Sequence, residues 1–181
     1  MLGSLLKKKL DANTFANVFV NSLVEVTESG FAEVSEMINE DNAFITNPRI
    51  TDRYSDQFLL IVIAGNLRYL DSRFDSDESA EIRNKIFAKL AEIYQTSVPR
   101  IAELMSHTDD FISKVNQPSK NTLYGMSKAI FHKFGLNEYQ ESYFKSLKTP
   151  NPLFLKRMDD MLSNFLWNWD EFFRKYRTSL N

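Results

Sequence analysis

The sequence predicts an all-α fold: a single-domain helical bundle of about seven or eight helices over residues 10–181, with a basic N-terminal arm at 1–9 that need not be fixed to it. Three observations predict this. Apolar residues recur at three-and-four spacing through most of the chain. Helix start and stop signals (capping boxes, first-turn prolines, a closing glycine) punctuate it at intervals of one helix each. Fifteen Phe against five Gly and five Pro, with 43% apolar and 25% charged residues, fit a chain that buries a core. At 181 residues roughly 70% of the unfolded surface is lost on folding, so no staple is needed.

Taken in order, "DANTFANVFVNSLVEVTES" places Phe15, Phe19, Leu23 and Val26 on one helix face. Gly30 then predicts a break or kink before "FAEVSEMINED" resumes through Phe31, Val34, Met37 and Ile38. "NAFITNPRIT" reads as a connector, because Asn47 precedes Pro48. The run Phe58 to Gly65 suits either a buried strand or a buried helix. Leu67, Leu70 and Phe74 continue it at helical spacing, which predicts a central helix wrapped on most sides.

Asp75 and Glu78 form a capping box ahead of Ile82, Ile86, Leu90 and Ile93. The next helix starts at Ser97 and Pro99 and runs through Ile101, Leu104 and Met105 to an interruption at "SHTDD", with a short helix from Phe111 to Val115 beyond it. Pro118 opens a further helix that Gly135 closes, and Asn137 with Gln140 suggests a second capping box. Asn151 and Pro152 start the last helix. Met158, Leu162, Phe165, Trp169, Phe172 and Tyr176 keep one stripe through it, leaving Trp167 alone on the polar side.

Charge is distributed unevenly although the net value is only -2. Between Lys9 and Arg49 there is no Lys or Arg, while seven acidic residues occur: Asp11, Glu25, Glu28, Glu33, Glu36, Glu40 and Asp41. From Lys114 to Arg157 eight basic residues face only Glu138 and Glu141. Opposite signs on two parts of one chain suit pairing within the fold or between chains.

Chemistry-bearing motifs are weak. With no cysteine, a disulfide framework, thiolate metal sites and a Cys nucleophile are excluded. His107, four after Glu103, and His132, one helical step after Lys128, lack the duplicated Glu and His spacing of a bundle metal site. Counted from Asp75 as an EF-hand loop, the sixth position is Ala80 rather than Gly and the twelfth is Ile86 rather than Glu. "VPRIAELMSHTDDFISKV" loosely copies a helix-turn-helix, but its second helix would begin with Asp109 and Asp110, which repel phosphates; nucleic acid is a poor partner. "LGSLLKKKL" supports at most weak contact with an anionic membrane surface, and its charge order is the reverse of a signal peptide. The style is that of a cytoplasmic, bacterial protein.

Two function classes follow as expectations. The first is a non-enzymatic helical protein-interaction or accessory domain, able to self-associate, with no cofactor, metal or catalytic residue assigned. Its candidate surface comprises Trp167, Lys128, His132, Lys145, Lys148, Glu25, Glu28 and Glu36, and its partner is another protein or a second copy. The second is a small-molecule or lipid-binding bundle, with room for catalysis, in which Phe and Met line a pocket.

Overall fold

The computed structural model describes residues 8–178. Its elements run β1 (Lys8–Leu10), α1 (Ala12–Asn39), α2 (Ser55–Leu70), α3 (Ser76–Ile93), α4 (Val98–Asn116), α5 (Thr122–Lys133), α6 (Ser142–Leu147), α7 (Pro152–Leu162), α8 (Trp169–Lys175) and β2 (Tyr176–Thr178), with 3-10 turns before α2, before α6 and after α7. The fold is an all-α bundle, as the periodicity predicts. The two short strands pair in parallel, Lys8 opposite Tyr176 and Leu10 opposite Thr178, and join the two ends of the described chain. The rest of the basic arm, residues 1–7, lies outside the described residues.

The capping chemistry sets most boundaries. Asp11 accepts a hydrogen bond from the Thr14 amide at 2.7 Å and starts α1. The Asp75 and Glu78 box is present, with the Glu78 amide 2.9 Å from the Asp75 carboxylate. The Phe58 to Gly65 run is helix, not strand. In α2 every residue from Ile61 to Leu67 is buried, because α1, α4 and α5 all pack on it. Gly65 lets it come close to Met126 of α5, since a Cβ there would sit 2.2 Å from the methionine sulfur.

Several expectations are corrected. Helix α1 runs without a break through Gly30, and the glycine serves packing instead: a Cβ there would lie 2.9 Å from the Phe165 ring. Helix α4 is likewise continuous across "SHTDD", which erases both the interruption and the turn of the helix-turn-helix reading. Helix α5 begins after Asn121, whose side chain accepts from the Tyr124 amide at 2.9 Å, rather than at Pro118. Asn137 and Gln140 do meet, but across a 3-10 turn (Leu136–Tyr139), and α6 begins only at Ser142. Ile93, expected in the core, is exposed.

The last helix is two. After α7 and a 3-10 turn the chain extends at Leu166 and restarts as α8 at Trp169, with the Asn168 side chain accepting from the Glu171 amide at 3.0 Å. Fully buried Asn66 of α2 holds the break open. It donates to the Phe165 carbonyl at 3.0 Å and accepts from the Trp167 amide at 2.7 Å, satisfying backbone groups that helix would otherwise pair. The reversal folds α8 onto α1, where Phe15 meets Phe172 at 5.0 Å, Phe74 at 5.7 Å, Phe19 at 5.8 Å and Trp169 at 6.0 Å. Burying each such ring contributes about 1.5–3 kcal/mol. The C-terminal aromatics therefore belong to the core.

Candidate interaction surface

One corner of the bundle is built from the loop after α1 and the segment between α5 and α7. Its polar centre is Gln140, which is 3% exposed. The Gln140 amide nitrogen donates to the Thr149 carbonyl at 2.9 Å and to the Asn137 side chain at 3.1 Å, and its oxygen accepts from the Asn151 amide at 2.7 Å. Backbone bonds bring in the other strand of chain: the Ile45 amide donates to the Tyr139 carbonyl at 2.8 Å, and Phe44 pairs with Gln140 in a bridge. Beneath, the Phe44 ring packs on Phe154 at 5.0 Å. A segment with only six residues of α-helix is thus fixed by side-chain bonds rather than by its own helicity.

This corner exposes large apolar side chains. Ile45 is 69% exposed, Tyr143 66%, Leu153 63% and Leu147 56%. They account for four of the six such side chains among the described residues, the others being Ile93 and Val98 at the α3–α4 turn. Scattered exposed hydrophobes need no explanation; these four stand on segments that the Gln140 bonds and the Phe44 bridge tie together. Charges of both signs surround it. Lys145 pairs with Glu138 at 2.9 Å and Lys156 with Asp160 at 3.6 Å, while Lys148, in the left-handed conformation that ends α6, is exposed and forms no ion pair among the described residues.

The acidic region begins beside it. Buried Asp41 takes a bidentate pair from Arg157, both bonds 2.6 Å, and also accepts from the Ala43 amide at 2.8 Å. The Arg157–Asp41 pair joins the acidic and basic segments within the fold. Glu25, Glu28, Glu33 and Glu36 remain exposed on α1 and Glu40 at its C-cap, and none forms an ion pair among the described residues.

The other predicted residues are not gathered with these. Lys128 of α5 lies over the Tyr124 ring at 4.3 Å. His132 sits edge-on to Phe131 at 5.1 Å, and although exposed overall, its covered part is desolvated; that burial, and then the Lys128 charge, hold its pKa below the usual histidine value. No contact joins either to Lys145 or Lys148 among the described residues. Trp167 is half-buried, not stranded on a polar face: its ring packs on Phe19 at 5.2 Å and Phe172 at 5.7 Å. It does line a groove of about 350 Å³ between α1 and α8, along with Val26, Leu166, Tyr176, Glu171 and Lys175.

A second cleft, between α2, α3 and α4, is lined by Arg68 and Arg83, but each has a carboxylate already: Asp109 at 2.6 Å and Asp71 at 3.1 Å. Among the described residues no cluster of three His, Cys, Asp or Glu is arranged to hold a metal, and no helix is long and apolar enough to cross a membrane.

Sequence reasoning missed Ile45, Leu147, Leu153 and Gln140. Tyr143 and Leu147 did carry a signal: they stand four apart on a short helix whose other face holds Phe144, so one of the two apolar faces lacks a partner. Comparison with protein-family models, curated proteins and solved structures finds no match to this chain.

Proposed function

We propose that this chain is a non-enzymatic, cytoplasmic helical domain that works by docking another protein on the Ile45, Tyr143, Leu147 and Leu153 corner. One observation carries the reading: the apolar side chains stand on backbone that Gln140 and the Phe44 bridge have already fixed. A preformed surface avoids the ordering cost that weakens association through loose segments. Tyr and large aliphatic groups supply the desolvated centre, and the lysines around them supply orientation and steering.

The test compares capture by the intact protein with capture by L147D and by an N84S control on α3, away from the corner. A protein retained by wild type and by the control, and bound at least ~10-fold more weakly by L147D, supports the reading. If all three retain the same proteins equally, the corner is not the docking surface.

A second reading rests on the groove beside Trp167. Its volume of about 350 Å³ lies within the range of small-molecule sites, and its apolar wall with Glu171 and Lys175 at the side suits an amphiphile or lipid. Under that reading ligand raises the melting temperature of wild type, and narrowing the groove by V26W abolishes the rise.

A further inference from the structure

We infer that the groove between α1 and α8 has an occupant within the chain itself: the apolar start of the basic arm, Leu2, Leu5 and Leu6, lies in it as a strap that an outside amphiphile has to displace. Residues 1–7 are outside the described residues, and the described ones direct them there by strand direction, position and composition. β1 and β2 run parallel with Lys8 opposite Tyr176. The chain before Lys8 therefore lies on the same side as the chain before Tyr176, which is α8. Buried Leu10 and the Asp11 cap of α1 hold the root of the arm in place.

The groove starts where the arm emerges, because Tyr176 lines it. From there one wall runs back through Phe172 and Trp167, and the other along Val18, Ser22 and Val26, each four residues on from the last and so on one side of α1. Phe15 of α1 meets Phe172, Phe19 meets Trp167 and Gly30 comes against Phe165, so α1 is antiparallel to the chain from Phe165 to Tyr176 and the groove follows both. From Val18 to Val26 it is about 12 Å long at 1.5 Å per residue. Extended, the arm from Leu2 to Lys7 reaches about 20 Å at 3.3 Å per residue, enough to cover that length. The α1 wall is only half-buried at Val18 and Val26, while the arm brings its leucines with no charged side chain before Lys7. An apolar segment tethered at the mouth of an apolar groove fills it without the loss of freedom that a separate ligand meets.

The chain has no cysteine, so engineered pairs can be oxidised without competitors. The test compares L5C/S22C and L6C/S22C with L5C/N21C and L6C/N21C, all in the full chain. Asn21 is the next residue on α1, exposed and outside the groove, and the arm is tethered equally near both, so the difference in rate reports seating rather than reach. At least one Ser22 pair is expected to close its intramolecular disulfide at least about tenfold faster than its Asn21 counterpart. L5D/L6D, which leaves Lys8–Leu10 in place, is expected to bind the apolar dye anilinonaphthalenesulfonate at least about tenfold more tightly than wild type, and V26W added to it to remove the gain. Equal disulfide rates at Ser22 and Asn21 overturn the inference, and so does a dye affinity that L5D/L6D leaves unchanged. If wild type then binds the dye and V26W does not, the groove is open to outside ligands and the amphiphile reading stands without the strap.

Discussion

Ser127 of α5 donates a hydrogen bond to Asp159 of α7, joining two helices that pack against each other. Ser127 is fully buried and Asp159 half-buried. Burial pushes the Asp159 carboxyl above its ordinary value and Asp160 pushes it the same way, while the serine bond opposes them. The folded state therefore binds this proton more tightly than the unfolded state does. Its stabilising effect is complete below the unfolded value of roughly 4 and is lost as pH rises through the higher folded value. D159N keeps an oxygen for Ser127 and removes the charge. Its melting temperature should exceed that of wild type at neutral pH, and the gap should close as pH falls through the acid range. A variant less stable than wild type at neutral pH, with an unchanged profile, would show that the charge is held favourably.

At the scale of elements, glycine and asparagine decide what periodicity cannot. Gly30 lets α1 come close to the 3-10 turn after α7. Replacing it by alanine improves intrinsic helicity by roughly 1 kcal/mol, but drives a methyl to 2.9 Å from Phe165, and overpacking of that kind costs about 1–3 kcal/mol. G30A should thus destabilise the protein by up to about 2 kcal/mol, whereas the same change should raise helicity in a peptide of residues 12–39. Adding F165L should recover part of the loss in the protein. Equal stability of G30A and wild type in denaturant titrations would contradict this packing.

The same element shows what sequence could and could not supply. Helix α3 was legible because Asp75 and Glu78 act on their own neighbours. The split between α7 and α8 was not, because the apolar stripe stays in phase across it, and the group that stabilises it, Asn66, is 99 residues from Phe165. A local sign existed: Asn168 followed by Glu171 is a helix start inside an otherwise continuous pattern, and the structure uses it. The corner was hidden for a related reason. Gln140 gathers Asn137, Thr149 and Asn151 through tertiary bonds, so no period announces that Tyr143, Leu147 and Leu153 share a neighbourhood with Ile45. The acidic and basic segments, by contrast, were countable from composition; the first lies mostly on α1 and the second runs from the end of α4 to α7, with Asp41 and Arg157 joining them.

Across the whole molecule the oily side chains are spent mainly on the bundle interior, from the Phe15 nest to the α5–α7 contact. Four exposed apolar side chains, Ile45, Tyr143, Leu147 and Leu153, are left on the segments that Gln140 ties together. The proposed docking uses them, and it predicts where solvent should be excluded. Hydrogen exchange, compared between the protein alone and the protein carrying a partner that L147D fails to capture, measures this directly. The account predicts slower exchange on binding in residues 136–153, with α3 and α8 unchanged. Protection confined to the groove along α8, or no difference anywhere, would contradict it.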